Sequence, residues 1–258
     1  MQSFADLAAR LDAAALALNG SLTPVGEFEG YPQLKLVFGS KSSRQVLVDA
    51  GIHGEEPGAP LGLAAWLEAD GARWASRLGF TVLPCLNPWG FERGTRNSRD
   101  LEDPNRHFDE PDSPLTALVA RALEGRRFAL ACDLHEDVDF LGAYLYELKA
   151  APPFAGERIL EAISAHVPLS NGDEVGDFRT VRGLIRPPAA MLRPTERRGW
   201  PIAFFHFANA ADHLVTPETP GRQPLPARIA AQRSVLDLVC AFVLEGSGPR
   251  LPAGTAGA

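Results

Sequence analysis

Several things are scarce in this 258-residue chain, and each scarcity excludes something. There are three cysteines, Cys85, Cys132 and Cys240. An odd number, wide spacing and the lack of any CxxC pair argue against both a disulfide framework and a thiolate metal site. Cys85 and Cys132 lie in apolar runs, so buried, reduced thiols are expected, in a reducing compartment. No stretch approaches the roughly 18 apolar residues of a membrane span. The N-terminal segment MQSFADLAARLDAAALALNG lacks a basic start, and Asp6, Arg10 and Asp12 interrupt its apolar positions, so it does not read as a secretion signal. The expected location is cytoplasmic. Positive charge is also in deficit: 25 Lys and Arg stand against 32 Asp and Glu, a net −7. Such a chain repels nucleic acid and anionic lipid, and neither is expected as a partner. Tyrosine occurs three times, as Tyr31, Tyr144 and Tyr146.

With 45% hydrophobic residues the chain can bury a sizeable core. It reads as a single catalytic domain over residues 1–246, with a flexible tail at 247–258. Phe4, Leu7, Ala8, Leu11 and Ala15 recur at helical spacing behind a candidate N-cap, Ser3. Short β-rich runs follow at 34–39 and 45–52, a helix at 58–69 and a buried strand at 79–87. A polar loop spans 88–112. Beyond it come a helix at 114–124, strands at 128–137 and 142–148, a helix at 154–166 and an irregular stretch at 168–200. The run PIAFFHFAN (201–209) reads as a strand, 211–221 as a last strand and 225–244 as a long helix. Strands alternating with helices imply an α/β fold: a three-layer sandwich whose central, mixed but mostly parallel twisted sheet is flanked by helices. In such sheets ligands sit at the carboxyl ends of the strands. Polar, charged segments follow VLVDAGI, FTVLPCL and FALACDL, so three segments converge on one edge.

The first is GIHGEEPGAP (51–60), where His53 and Glu56 stand three apart at a strand-to-helix junction and Gly51 and Gly54 permit a tight turn. The second is DLHED, with His135 at the end of a buried strand. Two histidines and one glutamate leave a fourth coordination position free, the pattern of a catalytic zinc rather than a structural one. One Zn2+ per chain is expected. A lone HxxE is weak evidence; its value comes from His135 at a second strand end.

Between these segments runs NPWGFERGTRNSRDLEDPNRHF (87–108). Here the chain resembles the zinc carboxypeptidase family of metallopeptidases. The order HxxE, NPxG, an Arg before D-x-N-R-x-F and a strand ending in DLH is that family's, over roughly residues 45–137. The loop is most similar to the small bacterial branch that includes murein peptide amidase. The resemblance implies His53, Glu56 and His135 as zinc ligands and Arg96 as the arginine that polarises the scissile carbonyl. It implies Asn105 and Arg106 as the pair that binds a free carboxylate, and Glu218, in TPETPG, as general base. These roles suit the residue types: an arginine fork matches a carboxylate, and the water's proton needs an acceptor that can hand it to the leaving amine. Arg99 is an alternative to Arg96. Asp103 orients either the loop or a ligand histidine, or is a plain surface carboxylate. For Glu218 the alternative is a plain turn carboxylate.

The digestive-type members use a tyrosine from a loop before the catalytic glutamate, and no tyrosine lies between 147 and 218 here. Either that role is unfilled or the substrate is held differently. Arg179, Arg182, Arg186 and Arg193 cluster in the irregular stretch and either favour an acidic substrate or are solvated. His107, His166, His206 and His213 lack ligand spacing and are expected to be structural. The expected activity is hydrolysis of an amide next to a free carboxylate, on a small peptide. The alternative is an N-acyl-amino-acid deacylase resembling aspartoacylase and succinylglutamate desuccinylase. The short segment after Glu218 favours the peptidase. A binding protein that has lost catalysis would lack Glu218 or a ligand, and all are present.

Overall fold

The structure is a computed structural model that describes residues 2–41, 44–172, 174–175, 178–187 and 199–246. The expected tail at 247–258 and Arg193 lie outside the described residues. Among the described residues ten strands form: β1 (Ser21–Phe28), β2 (Tyr31–Gly39), β3 (Gln45–Ala50), β4 (Gly79–Leu83), β5 (Leu130–Asp137), β6 (Tyr144–Lys149), β7 (Glu174–Val175), β8 (Phe178–Arg179), β9 (Leu184–Ile185) and β10 (His213–Pro220). The helices are α1 (Phe4–Ala17), α2 (Gly58–Ala69), α3 (Gly71–Ala75), α4 (Pro88–Arg93), α5 (Pro114–Leu123), α6 (Gly156–Ser164), α7 (Ile202–Asn209) and α8 (Leu225–Glu245). β7 and β8 pair with each other. The other eight strands form one sheet in the order β1-β2-β4-β3-β5-β10-β6-β9. Its centre, β4-β3-β5-β10, is parallel, and antiparallel neighbours flank it.

Alternation along the central strands separates two cores. Val46 and Val48 of β3, with Leu130 and Cys132 of β5, pack under α1, α2, α6 and α8. Leu47 and Ala131 point to the other face, against α5 and α7. A strand buried on both faces reads as a continuous apolar run, which is why these segments were legible. Asp49 and Asp133 interrupt their runs, and both are fully buried. By parity they share the face of Leu47 and Ala131, the side on which α7 lies.

Two expectations change. The run 201–209 is the helix α7, not a strand. A short apolar run cannot be assigned by periodicity alone; here Ile202, Ala203 and His206 bury one helical face while Phe204, Phe205 and Phe207 are only partly covered. The edge strand β1 had no expectation at all. Pro24 and the bulge between Pro24 and Gly26 break its alternation, as befits an edge that need not donate to a ladder. The N-terminal helix is as expected, with Ser3 Oγ accepting from the Asp6 amide. The three cysteines are buried and unpaired. Among the described residues no helix is long and apolar enough to cross a membrane.

Candidate active site

β3 ends at Ala50, and the chain then turns through Gly51, at φ +69°, where a side chain would be strained. Gly54 lies against the backbone of Gly90; a Cβ there would overlap the Gly90 carbonyl carbon. The turn that carries His53 and Glu56 is thereby seated on the segment 87–94, which itself starts a helix through Asn87 Oδ1 accepting from the Gly90 amide. β5 brings His135 alongside. Nδ1 of His53 lies 2.6 Å from Glu56 Oε1, and Nδ1 of His135 lies 2.9 Å from Glu56 Oε2. One ligand atom from each residue falls within 4.8 Å of the others, and all three residues are buried.

The outward-facing nitrogens meet carboxylates. His53 Nε2 is 3.2 Å from Asp103 Oδ1, and His135 Nε2 is 3.1 Å from Asp133 Oδ1. Each imidazole therefore presents Nδ1 to one point and has a carboxylate beside Nε2, hydrogen-bonded for His53 and as an ion-pair contact for His135; carboxylates so placed orient the rings of metal-bound histidines. Two nitrogens and one carboxylate oxygen, without thiolate, suit zinc with an open position. The donor set fits the ion. Electrostatics agree: burial works against ionisation of Glu56, but His135 and His53 outweigh it and draw its carboxyl down to about 2.

The polar loop is less irregular than its composition suggests, since it contains α4 and a 3-10 turn at Pro104–Arg106. Arg96 is held by Asp103 Oδ2, with Nε at 3.2 Å and Nη2 at 3.0 Å. Its Nη1 lies 3.9 Å from Glu56 Oε1, at the rim of the donor triangle. Arg99 faces elsewhere, exposed and paired with Asp100 at 2.9 Å. Asp103 accepts from the Asn105 amide and also faces His53.

Asn105 is buried, and its Oδ1 accepts from the Ile202 amide at the start of α7, at 2.7 Å. That bond directs the carboxamide: the oxygen is used on the helix, and among the described residues Nδ2 has no partner. Arg106 beside it is half exposed, with Nη1 on the Asn105 carbonyl. Both line a cleft of about 510 Å3 that also contains His53, Glu56, Arg96 and His135.

Glu218 closes the cleft from β10. Its register partners are His135 on β5 and Tyr144 on β6. Burial pushes its carboxyl well above the usual range, His135 opposes this, and Glu56 and Asp137 add to it.

Several cleft residues went unnoticed in the sequence. Tyr146 on β6 lines it, as do Leu148, Thr216 and Phe204. Burial, then the Glu218 and Asp137 charges, push the Tyr146 phenol up to about 12. Tyr144 instead donates to Asp137 Oδ2 at 2.5 Å. Nothing in the one-dimensional pattern pairs residue 146 with residue 216; only the antiparallel register does. The described members of the arginine cluster, by contrast, stay out of the cleft. Arg186 is bound to Glu147 and Glu157, and neither Arg179 nor Arg182 lines the cavity. His206 and His213 are each buried against one carboxylate, Asp49 and Glu147 respectively.

A family model for the succinylglutamate desuccinylase/aspartoacylase catalytic domain matches residues 42–182. The chain belongs to that family. The match to this desuccinylase/aspartoacylase family contains His53, Glu56, Arg96, Asn105, Arg106 and His135, while Glu218 lies beyond it. The fold is that of the zinc carboxypeptidases. A protein from Shewanella amazonensis SB2B, named as a candidate metallopeptidase, superposes with a TM-score of 0.80 at 24% identity, over 92% of this chain and 92% of that one. A metallo-carboxypeptidase from Burkholderia cenocepacia gives 0.70 at 20% identity, over 93% and 69%. The carboxypeptidase A of Helicoverpa armigera gives 0.68 at 15%, over 97% and 75%. Among curated proteins none matches. As a member of the desuccinylase/aspartoacylase family the chain is an enzyme of the carboxypeptidase-like hydrolase fold.

Proposed function

We propose that the enzyme is a zinc-dependent hydrolase that cleaves an amide bond next to a free carboxylate. The observation that carries this is one cleft holding two features. It has a metal-ligand triangle backed by carboxylates, and beside it Asn105 and Arg106 with donors to spare. His53, Glu56 and His135 would hold the ion. When bound, zinc supplies Lewis acidity at the scissile carbonyl and activates water.

The chain's own groups do the rest. Asn105 Nδ2 and the Arg106 guanidinium receive the substrate carboxylate, since paired N–H donors with positive charge match its two oxygens. This anchoring sets which amide reaches the metal and lowers the entropic barrier. Arg96, clamped on Asp103, keeps a fixed cation where negative charge grows on the carbonyl oxygen. Glu218, across the cleft from the triangle, takes the water's proton and passes it to the leaving nitrogen; a carboxyl that burial holds above its ordinary range is a better proton acceptor than a solvated one.

Two substrate classes fit. Peptides with a C-terminal carboxylate are suggested by the fold's likeness to carboxypeptidases, and N-acyl amino acids by the family match. A hydrolysis screen over C-terminal peptides, cell-wall peptides and N-acyl amino acids, run with and without chelator, separates them. Activity that survives complete zinc removal would sink the mechanism.

A further inference from the structure

The carboxylate behind His135 has a further buried pair beside it. Asp133 of β5 stands opposite Asp49 of β3 in the parallel register. Asp49 Oδ2 lies 2.9 Å from His206 Nε2, on α7. None of the three is more than 1% exposed. Their neighbours on this face, Leu47, Ala131 and Leu214, are apolar. Among the described residues Asp49 Oδ1, both Asp133 oxygens, His135 Nε2 and His206 Nδ1 have no hydrogen-bond partner, so Asp133 meets His135 as a 3.1 Å ion-pair contact. Two carboxylates and an imidazole in such surroundings carry a large desolvation cost, and well-packed apolar residues in their place are often as stable or more so. Core stability therefore gives little reason for the cluster. Its placement gives one: it reaches from α7, through the paired positions 49 and 133 on β3 and β5, to the ring of His135.

We infer that Asp49 and His206 are positioning residues of the metal centre, fixing the Asp133 carboxylate and through it the ring of His135. The inference rests on His135 being a zinc ligand. Asp133 alone could pivot about its own side-chain torsions. Asp49 limits that motion from the neighbouring strand, and His206 limits Asp49 from the helix above. α7 is in turn tied at its start by Asn105, so the helix that walls the cleft through Ala203 and Phe204 also braces the metal site.

The test uses the full-length protein freed of metal, with zinc affinity measured by competition against a chromophoric chelator and the site probed by the visible spectrum of added Co2+. Asp49→Leu/His206→Leu removes both partners and leaves no orphaned charge. It is expected to fold, to lose about tenfold in zinc affinity, as carboxylate partners of metal-bound histidines do, and to show an altered Co2+ spectrum. His206→Gln keeps a donor towards Asp49 and is expected to bind zinc within about threefold of the unmodified protein. A purely structural role would shift the unfolding midpoint of the metal-free protein and leave both metal readouts unchanged. A folded double variant with unchanged affinity and spectrum overturns the inference, as does a tenfold loss in His206→Gln. His135→Ala is the control: if it binds zinc as tightly as the unmodified protein, the ligand assignment fails and the inference falls with it.

Discussion

Asn105 does two jobs with one carboxamide, and two substitutions separate them. Its oxygen accepts from the buried Ile202 amide, and its nitrogen is free to face the cleft. Asn105→Asp keeps the acceptor and replaces the donor by a second anionic oxygen. The Ile202 bond then survives, now charge-assisted, and a carboxylate at the start of a helix adds about 0.3–1 kcal/mol of favourable dipole interaction. Stability in urea should be unchanged or slightly higher. Binding of a substrate carboxylate should collapse, because a hydrogen bond to a charged group contributes about 1.5–3 kcal/mol. That alone lowers kcat/KM roughly 10- to 150-fold, and the added charge repels the substrate further. Asn105→Ala removes both functions: it leaves a buried amide without a partner, a cost of about 1–3 kcal/mol, and loses the substrate bond as well. The measurements are urea denaturation and steady-state kinetics on whichever substrate the screen identifies. An Asn105→Asp enzyme with unaltered kcat/KM, or an Asn105→Ala enzyme as stable as the unmodified one, refutes this division of labour.

Other expectations follow from the same geometry. Glu218→Gln should lower hydrolysis by roughly 10²–10⁴ while zinc affinity stays intact; full activity in this variant would remove Glu218 as the base. Tyr146→Phe tests whether the hydroxyl on β6 substitutes for the family's loop tyrosine. A drop of roughly tenfold in kcat/KM, with stability unaffected, is expected if that hydroxyl bonds the substrate, and no change means the role is unfilled. Zinc at about 100 times its Kd should stabilise the metal-free protein by about 2.7 kcal/mol, or roughly 5–10 °C in Tm, measured by calorimetry. Glu147 supplies a pH test. Burial works against its ionisation, but His213, the Ala155 amide and Arg186 outweigh it and hold its carboxyl below the ordinary range. A depressed carboxyl contributes stability that is present above the unfolded value near 4.3 and is lost as pH falls through the folded one. The stability gap between Glu147→Gln and the unmodified protein should therefore be wide at pH 7 and shrink below about pH 4; a gap constant with pH contradicts this assignment.

The central strands and the metal triangle were legible because their chemistry is local. β3 and β5 are apolar runs, and His53, Glu56 and His135 sit where those runs stop. What was not legible depends on distance. α7 reads as a strand because three phenylalanines mask a helical face, and the bond that starts the helix comes from Asn105, nearly a hundred positions earlier. The arginines at 179, 182 and 186 attract attention as an anion site, but Arg186 is neutralised by Glu147 and Glu157. Asp49 and Asp133 carried a signal that went unused. An aspartate within an apolar run is costly to bury, and two of them on neighbouring strands imply a partner, which proved to be the histidine read as an isolated packed residue.

The order of strands explains why the site contains one element the sequence reveals poorly. β10 is the last strand in the chain, yet it lies between β5 and β6. Its insertion puts Glu218 level with His135 on one side and Tyr144 on the other, and Thr216 level with Tyr146. Residues on the cleft face of three strands thus enter the same space only once this pairing forms. β10 and β5 are about eighty positions apart, and loop closure over such a span is unfavourable until the partner surfaces are in place. β3, β4 and β5 can pair without β10, and with them come all three proposed metal ligands. The proposed base arrives separately, on the strand whose register is set by β5 and β6 together. A one-residue slip there would turn Glu218 to the opposite face of the sheet. Buried apolar residues on both faces of β10, Leu214 and Val215, prohibit that slip. Packing remote from the cleft therefore determines that a carboxylate, rather than its neighbouring Pro217 or Thr219, confronts the metal triangle.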